Sequence, residues 1–187
     1  MKIRKLSFTE KRPEGLLSLL KGNVFHLTKQ ESCKQIINDG KINNNKDGIY
    51  NLNTSSQNSY GRNLGYVCLF DLREHNFDKI PQTLDCCDFF GPSWFKIVYT
   101  DYCEYKMAYF ILGENFHSNL ILYKDANLNG SYNQAVPHTE VWVENYIAIE
   151  WISTIYQVTI RVDAPLIGSL ARIHHELALE NKKKKDS

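Results

Sequence analysis

The chain has 187 residues and a formal net charge of +1, with 43% hydrophobic and 12% aromatic residues. This length and composition predict one folded domain with a sizeable core, and they exclude a chain that is largely disordered. A net charge so close to zero also excludes nucleic-acid binding through a strong global positive field, which leaves only local basic patches for such a role.

The cysteine content indicates the cellular compartment. Five cysteines are an odd number without the spacing of a disulfide framework, and no apolar leader precedes them, so we expect a reducing, cytoplasmic location. No stretch approaches the roughly 18 consecutive apolar residues that cross a bilayer, so we expect no membrane span. The adjacent pairs Cys86-Cys87 and His174-His175 lack the ligand spacing of a zinc site, so we expect no metal.

The N-terminal residues predict a tail, a helix and a strand. The basic residues at the start, and Lys182 to Lys185 at the end, are interpreted as solvated tails. Residues 13–20 form a helix-like apolar cluster that ends at Gly22, and residues 24–27 have the character of a buried strand. We therefore expect residues 1–22 to be an N-terminal helical extension of the domain.

A capped helix is predicted directly after this strand. Apolar residues recur at three- and four-residue spacing between residues 29 and 39. Thr28 is the expected N-cap, and Gly40 lies where a helix C-cap glycine belongs.

The rest of the chain predicts strands joined by long loops. Residues 43–65 and 124–137 are polar and rich in turn-forming residues, and loops of this length in compact domains are often functional. The predicted strands cover residues 66–71, 94–99, 107–112, 119–123, 140–143 and 156–162, and a terminal helix covers residues 165–179. One early helix followed by several strands predicts an α+β fold with a mostly antiparallel or mixed sheet.

Two short segments far apart in the sequence each place an ionisable residue beside an apolar strand. His26 lies within residues 24–28, and Glu140 lies within residues 139–143. Burying a charge without a partner costs several kcal/mol, so both side chains need partners. Each residue alone has an ordinary structural explanation, but the two together suggest a site.

The order of these elements resembles the ADP-ribosyltransferase superfamily, and most closely the DNA-modifying ADP-ribosyltransferase toxins of bacterial toxin–antitoxin and phage-defence systems. The resemblance is carried by Phe25-His26-Leu27-Thr28 with the helix that ends at Gly40, and by His138-Thr139-Glu140-Val141-Trp142-Val143. It covers roughly residues 23–162. It implies a single domain that folds as a split β-sandwich of two small mixed or antiparallel sheets, with flanking helices, an NAD cleft between the sheets, and a C-terminal helix and basic tail over residues 163–187.

The resemblance also implies which residues bind NAD. In this family a His or Arg on the first strand contacts NAD, and His26 occupies that position, with Thr28 on the same side of the strand. A Tyr or a hydroxyl residue on or beside the second strand packs against the nicotinamide ring. Tyr60 and Tyr66 are the candidates for that contact, Tyr60 being the first, and Cys68 lies where the hydroxyl residue would often be.

The family's catalytic glutamate, at the front edge of a later strand, corresponds to Glu140. Breaking the bond between nicotinamide and ribose builds positive charge on the ribose, and an ionised carboxylate at the ribose hydroxyl stabilises that charge. This chemistry requires no metal. NAD is therefore the expected cosubstrate, and Glu140 is the expected catalytic residue.

The loop before Glu140 corresponds in position to the family's substrate-recognition loop. The candidate contacts with the acceptor are Tyr132, Asn133, Gln134 and His138, together with Arg62 from the earlier polar loop. Many relatives that modify proteins hold Gln or Glu two residues before the catalytic Glu, where this chain has His138. We therefore expect a nucleic acid rather than a protein as the acceptor, and a toxin or defence effector whose partner in the cell would be an antitoxin.

Two other functions fit the same residues. In a metal-independent ribonuclease toxin, His26 or His138 would act with Glu140 as the acid–base pair on a phosphodiester, and Arg62 would stabilise the phosphate. A non-catalytic nucleotide-binding or partner-binding module would keep the fold and bind NAD without turnover. Nicotinamide release, RNA cleavage without NAD, and NAD binding without turnover distinguish the three functions.

Overall fold

The computed structural model describes residues 1–48, 60–90, 102–122 and 139–163. The strands within them are β1 (Lys2–Phe8), β2 (Val24–Lys29), β3 (Lys41–Asn43), β4 (Tyr66–Asp71), β5 (Tyr102–Leu112), β6 (Ile121–Leu122), β7 (Glu140–Glu144), β8 (Tyr146–Ala148) and β9 (Ile152–Asp163). The α-helices are α1 (Glu14–Leu20), α2 (Gln30–Asp39), α3 (Tyr60–Asn63) and α4 (Ile80–Cys86), and 3₁₀ helices cover Glu74–Lys79, Glu114–Asn119 and Ile149–Trp151. No helix in these ranges is long and apolar enough to cross a membrane.

Seven of the strands form one mixed sheet, in the order β1-β9-β5-β2-β4-β7-β6, and β3 pairs with β8 in a second, two-stranded sheet. Neighbours in the large sheet are antiparallel except β1 and β9, which run parallel. The predicted α+β fold with a mixed sheet is confirmed. The predicted strand at residues 94–99, the loop at 124–137 and the terminal helix at 165–179 lie outside the described residues.

β1 belongs to the main sheet, so the prediction of a solvated tail at the start of the chain was wrong, whereas the helix predicted within residues 13–20 is confirmed as α1. β1 forms an edge strand along β9, and α1, at the predicted position, buries Leu16 and Leu20 completely. Only Leu6 and Phe8 of β1 pack against the core, and cationic side chains on the exposed part of an edge strand hinder pairing with other chains. A half-exposed edge strand has too few apolar residues to show a clear alternation in the sequence.

The predicted strand and helix around His26 are confirmed as β2 and α2. Val24 and Phe25 are both fully buried and belong to different core clusters, because β2 lies in the middle of a sheet that is covered on both faces. Gly40 ends α2 in the left-handed conformation, with φ of 69°, which glycine adopts without strain. Thr28 is not the cap, since it remains in β2 and Lys29 occupies the N-cap position without a side-chain cap.

Several other boundaries differ from the predicted ones. The segment with Pro81, which lies between the strands predicted at residues 66–71 and 94–99, forms α4, and Pro81 lies in its first turn, where a helix does not need the missing N–H. Within the described residues, the strand predicted at residues 119–123 covers Ile121–Leu122, and it begins later than predicted because the 3₁₀ helix Glu114–Asn119 precedes it. β9 begins at Ile152 rather than at residue 156.

The two-residue ladder between β2 and β4 divides the main sheet into two halves. It consists of Val24 opposite Asp71 and Phe25 opposite Phe70, although all six residues of each strand are described. β2 continues to pair with β5 as far as Lys29, and β4 continues to pair with β7. The halves β1-β9-β5-β2 and β4-β7-β6 are thus joined at one end and lack ladder pairing from His26 onward.

Candidate active site

Glu140 is the first residue of β7, and two neighbouring side chains hold it. It lies opposite Phe70 of β4, and Trp142 lies opposite Cys68, so all four side chains share one face of the sheet. The indole Nε1–H of Trp142 donates a hydrogen bond of 2.7 Å to Oε1 of Glu140, and the Cys68 thiol donates another to the carboxylate. Glu140 is partly buried, and these two donors fix its carboxylate.

Helix α3 lies directly against these side chains at Gly61. A Cβ placed on Gly61 would lie 2.5 Å from Cδ1 of Trp142 and 2.8 Å from Sγ of Cys68, which is closer than real Cβ atoms approach other heavy atoms. Trp142 is fully buried, so its ring has little room to move aside. The absence of a side chain at residue 61 therefore allows α3 to cover the Trp142 indole.

We expect Gly61→Ala to lower the free energy of unfolding by about 1–3 kcal/mol, the usual cost of overpacking a core. Urea unfolding measures this difference. The control is Gly15→Ala in α1, where the nearest atom, Cε1 of Phe8, is 3.4 Å from the added Cβ and the change should stay below about 1 kcal/mol. Equal stability of the two variants would contradict the close packing at Gly61.

The surroundings of Glu140 favour its protonated form. Burial raises the pKa of this carboxyl above its ordinary value of 4.5, and the hydrogen bonds from Trp142 and Cys68 oppose part of the increase. The ionised form therefore depends on those two donors. A carboxyl with a raised pKa is a frequent property of active sites.

His26 lies where the ladder between β2 and β4 has ended. Its Nδ1 is 2.9 Å from the backbone carbonyl oxygen of Cys68. A carbonyl can only accept, so Nδ1 carries the proton and Nε2 carries the lone pair of the neutral ring. Burial lowers the pKa of His26, and the hydrogen bond to Cys68 opposes part of that shift. The imidazole is consequently neutral at pH 7.

Cys68 is the residue that His26 and Glu140 have in common. Its carbonyl accepts from His26, and its thiol donates to Glu140. The strand register places Glu140 on the same side of the sheet as Phe25, whereas His26 is one residue further along β2 and lies against Phe110, with ring centroids 6.4 Å apart. A ligand that touches both must therefore enter the break in the ladder between β2 and β4.

We expect His26→Ala to destabilise the protein by about 1–3 kcal/mol, because it removes the donor to the Cys68 carbonyl. His26→Asn places an amide N–H near the position of Nδ1 and should recover part of that loss. The pKa of His26 is lower in the folded wild-type protein than in the unfolded chain, so the free energy of unfolding of the wild type falls as the pH drops below 6.5. Thermal unfolding at pH 8 and pH 5.5 should show a smaller fall for His26→Asn, and equal falls would contradict a buried neutral His26.

Two of the remaining predicted NAD contacts lie near these residues. Thr28 is half-buried and pairs with Ala108 of β5, two residues beyond His26 and on the same side of β2. The ring of Tyr66 is tilted against Trp142, with centroids 6.4 Å apart. Tyr60 begins α3, and its side chain lies outside what the structure describes.

Arg62 holds the segment after β3 in place. Its Nε donates to the carbonyl oxygen of Asn45 at 2.9 Å, and its Nη2 donates to that of Lys46 at 3.3 Å. An acceptor contact would have to share a guanidinium that already stabilises this turn. The other predicted acceptor contacts, Tyr132, Asn133, Gln134 and His138, lie outside the described residues.

A polar cluster at the end of β4 fixes the residue before Glu140. Asp71 is fully buried and accepts two hydrogen bonds from the Arg73 guanidinium, at 2.9 and 2.6 Å. The backbone N–H of Asp71 donates to the carbonyl of Thr139 at 2.7 Å. Burial by itself would raise the pKa of Asp71, but the hydrogen bonds from Arg73 and the charges of Arg73 and His75 lower it below 3.8.

Sequence reasoning assigned no role to Trp142, Gly61 or Asp71. The period of two along a strand is a signal for Trp142, because it brings residue 142 to the side of Glu140. The sequence has no comparable signal for Gly61 or for Asp71, since their partners become neighbours only when the strands pair.

The described surface also has a pocket of about 300 Å³ that lies elsewhere, beside α1 and α4. It is lined by Arg12, Leu17, Lys21, Phe77, Ile80, Pro81, Leu84 and Asp85. None of the predicted site residues lines it, so it belongs to a different part of the protein.

Comparisons with protein-family models, with curated proteins and with solved structures gave no match. The function is therefore inferred from the geometry of His26, Cys68, Glu140 and Trp142.

Proposed function

We propose that this protein is an NAD-dependent ADP-ribosyltransferase, a bacterial or phage-related toxin or defence effector that modifies a nucleic acid or a protein. The observation that carries the proposal is Glu140, a carboxylate at the front edge of β7 that Trp142 and Cys68 hold in place. The resemblance implies a catalytic glutamate in that position. No metal is needed for its action.

The division of the main sheet supports the same proposal. The resemblance implies a split pair of small sheets with NAD in the cleft between them. In this structure the pairing of β2 with β4 ends at the Phe25–Phe70 pair. His26 lies at that break and contacts Cys68, which also contacts Glu140. A nucleotide in the break would thus have His26 on one side and Glu140 on the other.

In the proposed reaction, the bond between the ribose C1′ and the nicotinamide nitrogen breaks. The electron pair of that bond leaves with nicotinamide, whose ring becomes neutral, and positive charge develops on the ribose. The Glu140 carboxylate stabilises this charge more strongly than it stabilises bound NAD, and this difference lowers the barrier. The acceptor then forms a bond to C1′ and releases a proton.

Labelled NAD tests the proposal directly. The wild-type protein is incubated with NAD that carries the label on its adenylate phosphate, together with separate pools of DNA, RNA and protein. We expect nicotinamide release, and transfer of the label to the nucleic-acid pools rather than to protein. Absence of both nicotinamide release and label transfer with all three pools would contradict the proposal.

The ribonuclease is the second candidate function, and the opposite pKa shifts of two residues favour it. Burial raises the pKa of Glu140 and lowers that of His26, so a carboxyl that holds its proton more readily than usual and an imidazole that releases it more readily could act as general acid and general base. Against it, the Arg62 guanidinium, the expected phosphate contact, donates to backbone carbonyls. Cleavage of RNA in the absence of NAD would select this function.

A further inference from the structure

Trp142 is placed to control the catalytic carboxylate. Its Nε1 is 2.7 Å from Oε1 of Glu140, and the indole is fully buried, so its ring has little room to change rotamer. Gly61 and the register with Cys68 fix the ring from two other elements, α3 and β4. The direction of the N–H is therefore set by the core and does not depend on a bound ligand.

A fixed donor matters because Glu140 lies in mostly apolar surroundings. Phe70 faces it from β4, and the donors beside it are the indole of Trp142 and the thiol of Cys68. Ionising a carboxyl there requires hydrogen bonds in place of water, and charge-assisted hydrogen bonds are about twice as strong as neutral ones. Of the two donors, the indole has only a donor function, whereas the thiol is a weak donor.

We propose that Trp142 is the positioning residue of this site, which keeps Glu140 ionised and in one fixed orientation. The inference rests on the proposed transferase function, because it assigns Trp142 a role in that reaction. Gly61 makes this position of the indole possible, since any side chain at residue 61 would displace the ring. Trp142 itself does not touch the reacting atoms.

Trp142→Phe tests this role in the full-length protein, because it keeps an aromatic ring and removes the N–H. We expect the kcat of nicotinamide release to fall by about tenfold or more from that of the wild type, because one hydrogen bond to a charged group has been removed. The KM for NAD should change less than about twofold, since uniform binding is retained. The acid limb of the pH profile of kcat should move to higher pH, because the ionised form of Glu140 has lost its main donor.

The matched control is Trp151→Phe. Trp151 packs against Phe116 with ring centroids 5.2 Å apart and is 37% exposed. Its indole therefore has different surroundings from the indole of Trp142. Its variant should keep the wild-type kcat and pH profile. If Trp142→Phe also keeps both while the wild type is active, the positioning role is wrong and the transferase function is retained.

A spectroscopic measurement tests the inference even if the variant folds poorly or the wild type proves inactive. The indole ¹⁵N–¹H resonance of Trp142, recorded in the wild-type protein, should shift with pH as Glu140 ionises, and Glu140→Gln should abolish that shift. Trp151 supplies an internal reference in both spectra. A Trp142 resonance that titrates equally in Glu140→Gln would overturn the positioning role. An inactive protein with the expected titration would retain the contact between Trp142 and Glu140 and overturn the transferase function alone.

Discussion

Glu140→Gln should reduce NAD-dependent nicotinamide release by about 10²-fold or more, the effect of removing one preorganised electrostatic contact from a transition state. The amide oxygen of Gln still accepts from Trp142, so the change removes the charge and leaves the packing of β7 in place. The measurement is the initial rate of nicotinamide release at saturating NAD. An unchanged rate would rule out Glu140 as the catalytic residue.

The matched control for this variant is Glu144→Gln. Glu144 lies at the other end of β7, opposite Tyr66, and is exposed, so the same loss of one charge occurs on the same strand four residues away from Glu140. We expect it to retain the wild-type rate. Equal losses in both variants would point to a general effect of charge on the protein rather than to catalysis.

The same Glu140→Gln variant should be at least as stable as the wild type at pH 7. Burial raises the pKa of Glu140, so the folded protein holds a proton at a pH where the unfolded chain has released it. Wild-type stability relative to the variant therefore falls as the pH rises from 4.5 through the raised pKa, and the difference disappears below 4.5. Thermal unfolding across this range checks the sign.

Asp71→Asn should lower the free energy of unfolding by about 3 kcal/mol, the lower end of the cost of breaking a buried ion pair. The lower end applies because the Arg73 side chain remains 28% exposed and keeps part of its hydration after the change. For a domain of this size the expected drop in melting temperature is about 6–12 °C. Loss of the ion pair should also make the position of Thr139 less well fixed, because the carbonyl of Thr139 accepts a hydrogen bond from the backbone N–H of Asp71.

Acid should remove the contribution of Asp71 in the wild-type protein. Its pKa is lower in the folded state than in the unfolded chain, so its stabilising effect is complete above 3.8 and is lost as the pH falls through the folded pKa. The control is Glu104→Gln, which breaks the exposed pair with Lys106, where Lys106 is 56% exposed and the cost is about 0–1 kcal/mol. Similar melting temperatures for the two variants would contradict a structural role for the Asp71–Arg73 pair.

Local signals in the sequence were sufficient for β2, α2, β4 and β7. Each has an apolar pattern of the right period, and Gly40 marks the end of α2 through its left-handed conformation. Local signals in the sequence were insufficient to predict β1 and α4. The first is an edge strand that buries only alternate residues at one end, and the second follows a 3₁₀ helix in a segment with little apolar periodicity.

The candidate site follows the same division. His26 and Glu140 were selected as candidates because each is an ionisable residue beside an apolar strand, which is a property of a few adjacent residues. Their meeting at Cys68 depends on β4 lying between β2 and β7, and strand order follows from the packing of the whole domain. The same is true of the contact between Gly61 and Trp142, whose residues are far apart in sequence.

By itself, then, the sequence determined the local elements around His26 and Glu140 and the chemical types of these two residues, because periodicity, capping and composition act over a few residues. Only the tertiary structure decided that β2 and β4 separate after Phe25, that Trp142 donates to Glu140, and that burial shifts the pKa of Glu140 and of His26 in opposite directions. The physical reason is that burial and hydrogen-bond partners are set by residues distant in sequence, which come together only in the folded sheet.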